Sequence, residues 1–376
     1  MTTSIDAPSA ARSTARLPVT VITGFLGAGK TTLLRELLLQ SERRLAVLVN
    51  EFGEVGLDGD LLRSCGFCPE EEVEGRLVEL ANGCLCCTVQ EDFLPTMQQL
   101  LQRADQLDGI LVETSGLALP EPLVAAFGWP EIRARTRVNG VVTVVDGQAL
   151  ARGSVVADPA ALEAQRLADP SLDHATAIDE LFAEQLECAD LVLVSHADGL
   201  DAAGLERVRQ RVRPLVRPGT PLLAMERGRI DPALVLGVGE GGAATHEASG
   251  STHDHTHGQD HEHHDHSHVG VEAVTLRLRG SWPRPVLEAA LRGLTRDRGL
   301  LRMKGRAWLP QKARPLVIQT VGPRFESWFD AAAVTPDGRA EPAAPGVELV
   351  LLGFALDQAE LEDVLQQELA TALQQT

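Results

Sequence analysis

The chain has 376 residues, enough for a nucleotide-sized domain followed by a smaller one. Hydrophobic residues make up 44 % and charged residues 23 %, the balance of a globular protein with a real core. Acidic residues outnumber basic ones 53 to 34, a net charge of −19, and that argues against a nucleic-acid binder, whose surface must be basic. No apolar run approaches the ~20 residues that span a bilayer, so membrane insertion is not expected. The first residues, rich in Ser, Thr and Ala, lack the apolar core of a secretory signal. Residues 1–16 read as a disordered arm, and the expected location is the cytoplasm.

The elements in chain order predict an α/β fold. Leu17–Ile22 is a short β-branched run, followed by a glycine-rich turn and a helix over Thr32–Leu39. Further strands are predicted at Leu45–Val49, Gly109–Val112, Val138–Val145 and Leu191–Val194, with helices at Leu94–Arg103 and Ile178–Cys188 between them. Near-continuous Val/Ile/Leu strands suggest a mostly parallel, doubly wound sheet buried on both faces. The pattern breaks after Arg229, and Gly237–Gly270 holds the run HDHTHGQDHEHHDHSH with nothing apolar enough to pack. Periodicity resumes with a strand at Val271–Leu278, a helix around Val286–Leu294, segments at Arg306–Leu309 and Leu316–Val321, a strand at Val347–Leu352, and a closing helix from Gln358. That order fits a small α+β domain of about 100 residues. The expected division is 17–232 for the nucleotide domain, 233–270 for a flexible linker and 271–376 for the C-terminal domain.

Gly24-Phe-Leu-Gly-Ala-Gly-Lys30-Thr31 satisfies G-x-x-x-x-G-K-[ST] at every fixed position, between a strand and a helix as the motif requires. Only three of the 34 basic residues are lysines (Lys30, Lys304, Lys312), and one occupies the motif. Gly24, Gly27, Ala28, Gly29, Lys30, Thr31 and Thr32 therefore form the expected phosphate-binding set. Backbone N–H groups curl around the β-phosphate, Lys30 bridges the β- and γ-phosphates, and the Thr31 hydroxyl is placed for Mg²⁺. Glu113, at the end of a predicted strand, is expected to meet Mg²⁺ or the attacking water. Lys30, Thr31 and Glu113 are the expected catalytic residues. After Leu191–Val194 the chain reads Ser195-His196-Ala197-Asp198, where GTPases carry N/T-K-x-D. Asp198 can accept both N1–H and N2–H of guanine, which adenine does not offer, and His196 replaces the lysine whose stem packs on the base.

Five of the six cysteines fall between Cys65 and Cys87, and nine of the eleven histidines between His246 and His268. Cys84, Cys86 and Cys87 bring three thiols within four residues, a density suited to Zn²⁺ or Co²⁺ and not to Mg²⁺. With Cys65 and Cys68 upstream, a structural zinc ribbon is an alternative, although ribbons favour C-x₂-C over C-x-C-C. The histidine tract reads as a shallow store for Co²⁺, Zn²⁺ or Ni²⁺, or as a hydrophilic linker with incidental metal affinity.

GFLGAGKTTLL, NEFGEVGLDG, ELANGCLCC, ETSGLALP and SHAD together resemble the CobW family of P-loop GTPases, which are metallochaperones. Arg298–Gly305 and Trp308 resemble the family's C-terminal domain, so the resemblance runs along nearly the whole chain from Leu17. ELANGCLCCTVQEDFLP and SLDHATAIDELFAEQLECADL are most similar to the branch associated with cobalt supply in aerobic cobalamin biosynthesis. His196 and the Cys65/Cys68 pair depart from the family pattern. The resemblance implies that Cys84, Cys86 and Cys87 form the metal motif and that Asn50–Glu54 form a switch segment, with Glu51 and Glu54 as candidate switch-linked ligands. It implies a low-turnover GTPase using GTP and Mg²⁺, loading a divalent metal and releasing it on hydrolysis to a metal-acceptor protein. Co²⁺ is the expected cargo, with the cobalt-inserting chelatase of the cobalamin pathway as candidate acceptor. Delivery of Zn²⁺ to a zinc enzyme is the first alternative; metal storage or sensing with a regulatory nucleotide site is the second.

Overall fold

The computed structural model describes residues 16–49, 77–79, 93–168, 178–238, 270–312, 314–330 and 345–374. Strand β1 (Leu17–Thr23) leads through the glycine loop into helix α1 (Lys30–Gln40), whose Leu33, Leu34 and Leu37 are buried. Then come β2 (Leu45–Val49), β3 (Leu77–Glu79), α2 (Leu94–Gln102) and β4 (Gly109–Glu113). Two short helices, α3 (Pro120–Ala126) and α4 (Pro130–Arg133), precede the long strand β5 (Thr136–Asp146). Helices α5 (Gly147–Ala151), α6 (Pro159–Ala168) and α7 (Ile178–Glu187) lead to β6 (Leu191–Ser195). Helix α8 (Ala202–Val212), strand β7 (Leu222–Ala224) and helix α9 (Pro232–Leu236) complete this part. The seven strands form one parallel sheet in the order β3-β2-β4-β1-β5-β6-β7.

Because all these strands run the same way, their carboxyl ends share one edge. Val49 lies abreast of both Glu79 and Glu113 there, and Asp146 lies abreast of Ser195. β2, β4 and β6 are buried along their whole length, which explains their uninterrupted apolar sequences.

The second part is a five-stranded antiparallel sheet in the order β11-β10-β9-β12-β8. Its strands are β8 (Glu272–Arg279), β9 (Arg302–Trp308), β10 (Leu316–Val321), β11 (Arg324–Phe329) and β12 (Gly346–Gly353). Helices α10 (Arg284–Asp297) and α11 (Gln358–Gln374) give it their apolar faces: Leu287, Leu291 and Leu294 join Leu361, Leu365 and Leu369 in one core with the sheet. Among the described residues no helix is long and apolar enough to cross a membrane.

One expected boundary is displaced. The linker expected from residue 233 would include Ala233–Leu236, but these residues form most of α9, and Leu234, Val235 and Leu236 are buried in the first part's core. The five-residue apolar run is too short to register as a helix before its packing partners are known. Asp231 caps it, accepting a hydrogen bond from the Ala233 N–H at 2.8 Å.

The two sheets meet through buried polar groups, away from the carboxyl edge. Asn139 on β5 donates to Thr20 Oγ1 at 3.1 Å and accepts from Gln319 on β10. Asp190 is fully buried between Arg217 and Arg324 and accepts the Val141 N–H at 2.8 Å. Arg302 is buried with no carboxylate bonded to it among the described residues: its Nη2 reaches the Asn139 and Val235 carbonyls at 3.4 Å, and its Nε and Nη1 have no hydrogen-bond partner there. Burial, with repulsion from Arg137 and Arg43, pushes its guanidinium down to about 9. The Trp328 ring is flanked by the guanidinium groups of Arg16 and Arg137, 5.4 and 4.9 Å from its centroid.

Candidate functional site

The glycine loop leaves β1 at the carboxyl edge and turns back into α1. Gly24, Gly27 and Gly29 have φ of 137°, 73° and 97°, in the region open to glycine. Gly24 is fixed by close approach as well: a Cβ there would lie 2.1 Å from the Val144 carbonyl oxygen. At Gly27 a Cβ would meet none of the described residues within 4 Å, so among them only its backbone conformation demands glycine. Ala28 is buried, and Thr32 is exposed on the first turn of α1. The loop and the helix start give an arc of backbone N–H groups with favourable partial charge for a phosphate.

Lys30 is buried at the base of this arc. Its ammonium donates to the Gly24 carbonyl at 2.8 Å and the Phe25 carbonyl at 3.1 Å, so the charge is held inside the loop. Thr31 donates its hydroxyl to Glu113 Oε1 at 3.1 Å. The structure thus brings Lys30, Thr31 and Glu113 to one place from β1–α1 and β4. The loop after Glu113 is seated on the glycine loop: a Cβ on Gly116 would lie 2.6 Å from the Leu26 nitrogen. Thr114 donates to Thr23 at 2.9 Å, and the Gln185 amide on α7 donates to the Gly116 and Ala118 carbonyls at 3.2 and 3.0 Å. Gln185 is not visible to motif reasoning, since it lies 72 positions beyond Glu113 on an amphipathic helix.

Ser195–Asp198 follows β6 at the same edge. A Cβ on Gly29 would touch Ser195 Cβ at 3.5 Å, so the glycine loop and this turn are neighbours. His196 is half-exposed and Asp198 is exposed on the turn that follows. Asp146, which the motif does not include, places Oδ2 3.2 Å from His196 Nδ1. The available signal was an Asp-Gly pair ending a long apolar strand.

Cys65, Cys68, Cys84, Cys86, Cys87, Asn50, Glu51, Glu54 and the histidine tract lie outside the described residues. Among the described residues no group of three or more His, Cys, Asp or Glu is placed to hold a metal ion.

Residues 18–222 match the family model of the CobW/HypB/UreG nucleotide-binding domain, and residues 271–369 match that of the cobalamin synthesis protein cobW C-terminal domain. The chain is 45 % identical over 361 residues to the zinc chaperone CobW of Pseudomonas aeruginosa, covering 96 % of this chain and 93 % of the relative. It is 40 % identical over 343 residues to the zinc chaperone CobW of a Sinorhizobium species, covering 90 % and 93 %. Among solved structures, the Zn(II)-bound YjiA GTPase of E. coli aligns over 94 % of this chain and 99 % of its own, at 22 % identity and a TM-score of 0.38.

Proposed function

The chain belongs to the CobW family of P-loop GTPase metallochaperones, and from that premise we propose that it carries Zn²⁺ on Cys84, Cys86 and Cys87 and releases it when GTP is hydrolysed. The sequence alone favoured Co²⁺. The names of two nearly full-length relatives, both zinc chaperones, tip the choice to Zn²⁺. The ligand chemistry agrees, because thiolates bind Zn²⁺ more tightly than Co²⁺ at equal availability. Co²⁺ delivery to the chelatase of the cobalamin pathway is kept as the second reading, on the strength of the C-terminal family's association with cobalamin synthesis.

The single observation that carries the coupling is strand register. Val49, Glu79 and Glu113 stand abreast at the carboxyl edge. In sequence, Glu51 and Glu54 follow the carboxyl end of β2 at Val49, and Cys84–Cys87 follow that of β3 at Glu79. Both strand ends lie at the edge that holds Lys30 and Glu113. Segments that order around a γ-phosphate there can also set the geometry of a thiolate site.

In the proposed chemistry Lys30 exchanges the Gly24 and Phe25 carbonyls for β/γ-phosphate oxygens. Thr31 and Glu113 supply a hydroxyl and a carboxylate oxygen 3.1 Å apart, the hard-oxygen set that suits Mg²⁺, and the ion would neutralise charge on the phosphates. Glu113 also faces the attacking water. Asp198 and His196 take the guanine base, and the product metal passes to a metal-acceptor protein. The test is Zn²⁺ affinity, measured by chelator competition with a non-hydrolysable GTP analogue, for wild type and for Cys86→Ser/Cys87→Ser. Loss of the tight site is expected, because neutral hydroxyls do not replace thiolates. Equal affinities in the two proteins contradict the assignment of the thiolates.

A further inference from the structure

His196 has a left-handed backbone, φ 51° and ψ 28°, a conformation that a residue with a Cβ adopts at a cost. Something on the neighbouring strand holds it there. Asp146 ends β5 beside Ser195, and its carboxylate is buried with two partners. Oδ1 accepts the Ala149 N–H at 2.9 Å and caps α5; Oδ2 lies 3.2 Å from His196 Nδ1. Ser195 Oγ is 3.4 Å from the same nitrogen and spends its one proton on the Val145 carbonyl at 3.1 Å. Both neighbours of Nδ1 therefore present lone pairs, so Nδ1 carries a hydrogen and the ring is fixed in one orientation.

The start of α5 braces the same turn by close contact. A Cβ on Gly147 would lie 2.7 Å from Val194 Cγ1 and 2.8 Å from the Ser195 carbonyl oxygen. A Cβ on Gly199 would lie 2.1 Å from Gln148 Nε2. The turn that presents Asp198 is thus pressed between β6 and α5, with the Asp146–His196 contact as its polar tie.

We propose that Asp146 is a positioning residue for base recognition: it fixes the His196 imidazole as the platform for a guanine nucleotide, in place of a lysine stem, and holds the turn that aims Asp198. The inference rests on reading Ser195–Asp198 as the base site. Asp146→Asn is the informative variant. Asn caps a helix as well as Asp does, so α5 is retained. Its amide, however, offers Nδ1 a donor and drives the imidazole to the other tautomer, as in the Asp-to-Asn change of a catalytic triad.

The dissociation constants of GTP and GDP are expected to rise together, by about tenfold, the scale of one lost charge-assisted contact. The factors are equal because the base does not sense the γ-phosphate. In a His196→Ala background the same change should have no further effect, which a merely structural role for Asp146 would not produce. Asp198→Ala, run alongside, should lose the preference for GTP over ATP. Unchanged GTP affinity in Asp146→Asn, or a loss confined to GTP, overturns the role of Asp146 while Asp198→Ala still loses its preference. If Asp198→Ala keeps the preference, the base-site reading itself falls. Nitrogen NMR of His196 in the unmutated protein gives a check without any variant: Nδ1 should be protonated, and a bare Nδ1 beside a protonated Nε2 overturns the proposal.

Discussion

Strand β5 joins two polar regions that use charge in opposite ways. At its carboxyl end the side chains of Asp146, His196, Lys30, Thr31 and Glu113 are matched to nearby loop and helix groups at hydrogen-bond distances of 2.8 to 3.2 Å. Around Asn139, Asp190, Arg302 and Gln319, where the second sheet docks, Asp190 and Arg302 are buried and, among the described residues, the Arg302 guanidinium has no carboxylate bonded to it. The first region can exchange its internal partners for a ligand's oxygens. The second has nothing to exchange, so its effect falls on stability and on how firmly the sheets hold together.

Breaking the docking region at its most buried charge should have the largest effect. Asp190→Ala leaves the partly exposed Arg217 and Arg324 without their shared carboxylate and the Val141 N–H without its acceptor, and a loss of about 2–4 kcal/mol is expected, less than for a pair buried on both sides. Chemical denaturation reads it; an unchanged stability would mean that the Asp190 carboxylate does not tie the two parts together. At the other end, Lys30→Ala should fold normally yet reduce GTP turnover by about 10²–10³-fold, the scale of one lost transition-state donor. Wild-type turnover in that variant would remove Lys30 from the phosphate site.

Arg302→Met sharpens the comparison because it should stabilise. Replacing a buried charge without a carboxylate by an apolar side chain of similar length is expected to gain about 1 kcal/mol or more. The pH dependence has a definite sign. With its pKa lowered to about 9, Arg302 binds fewer protons in the native protein than in the unfolded chain above that pH. Its penalty is fully present below pH 9 and relieved as pH rises through it, so stability should increase between about pH 8 and about pH 10, and Arg302→Met should lose that increase. A wild-type curve matching the variant's would place water or an anion on the guanidinium. The smallest effect is expected from deleting Gly250–His268: weakly held metal ions are lost, while GTP turnover is retained. Isothermal titration of Zn²⁺ counts them.

Much of this architecture was legible because it is written in local runs. β1, β2, β4, β5 and β6 are apolar over most of their length, and each strand predicted before residue 233 lies within one of them. β3 and β7, three residues each, and β11, where Arg324, Glu326 and Ser327 break up the aromatics, have no such run and were not anticipated. Helix α8 was not anticipated because Arg, Glu and Gln interrupt its few apolar residues and a glycine lies in its first turn; its start is set by Asp201, which accepts the Gly204 N–H. The glycine loop and Glu113 were readable from a fixed pattern, and they meet in the structure. Asp146 was not, since its tie to His196 crosses 50 positions and exists only through the register of β5 with β6. Asn139, Gln319 and Arg302 were silent for the same reason: each is a polar residue within a strand whose partners lie in another part of the chain.

The central claim is that nucleotide and metal are coupled, and one titration measures it. Zn²⁺ affinity is determined with a non-hydrolysable GTP analogue, with GDP and without nucleotide, each with Mg²⁺ present. The account predicts tightest binding with the analogue and weaker binding with GDP. It also requires Zn²⁺ to tighten the analogue by the same factor that the analogue tightens Zn²⁺. Three identical Zn²⁺ affinities, with a protein that unfolds on chelation, would instead describe a structural zinc ribbon and contradict metal delivery driven by GTP.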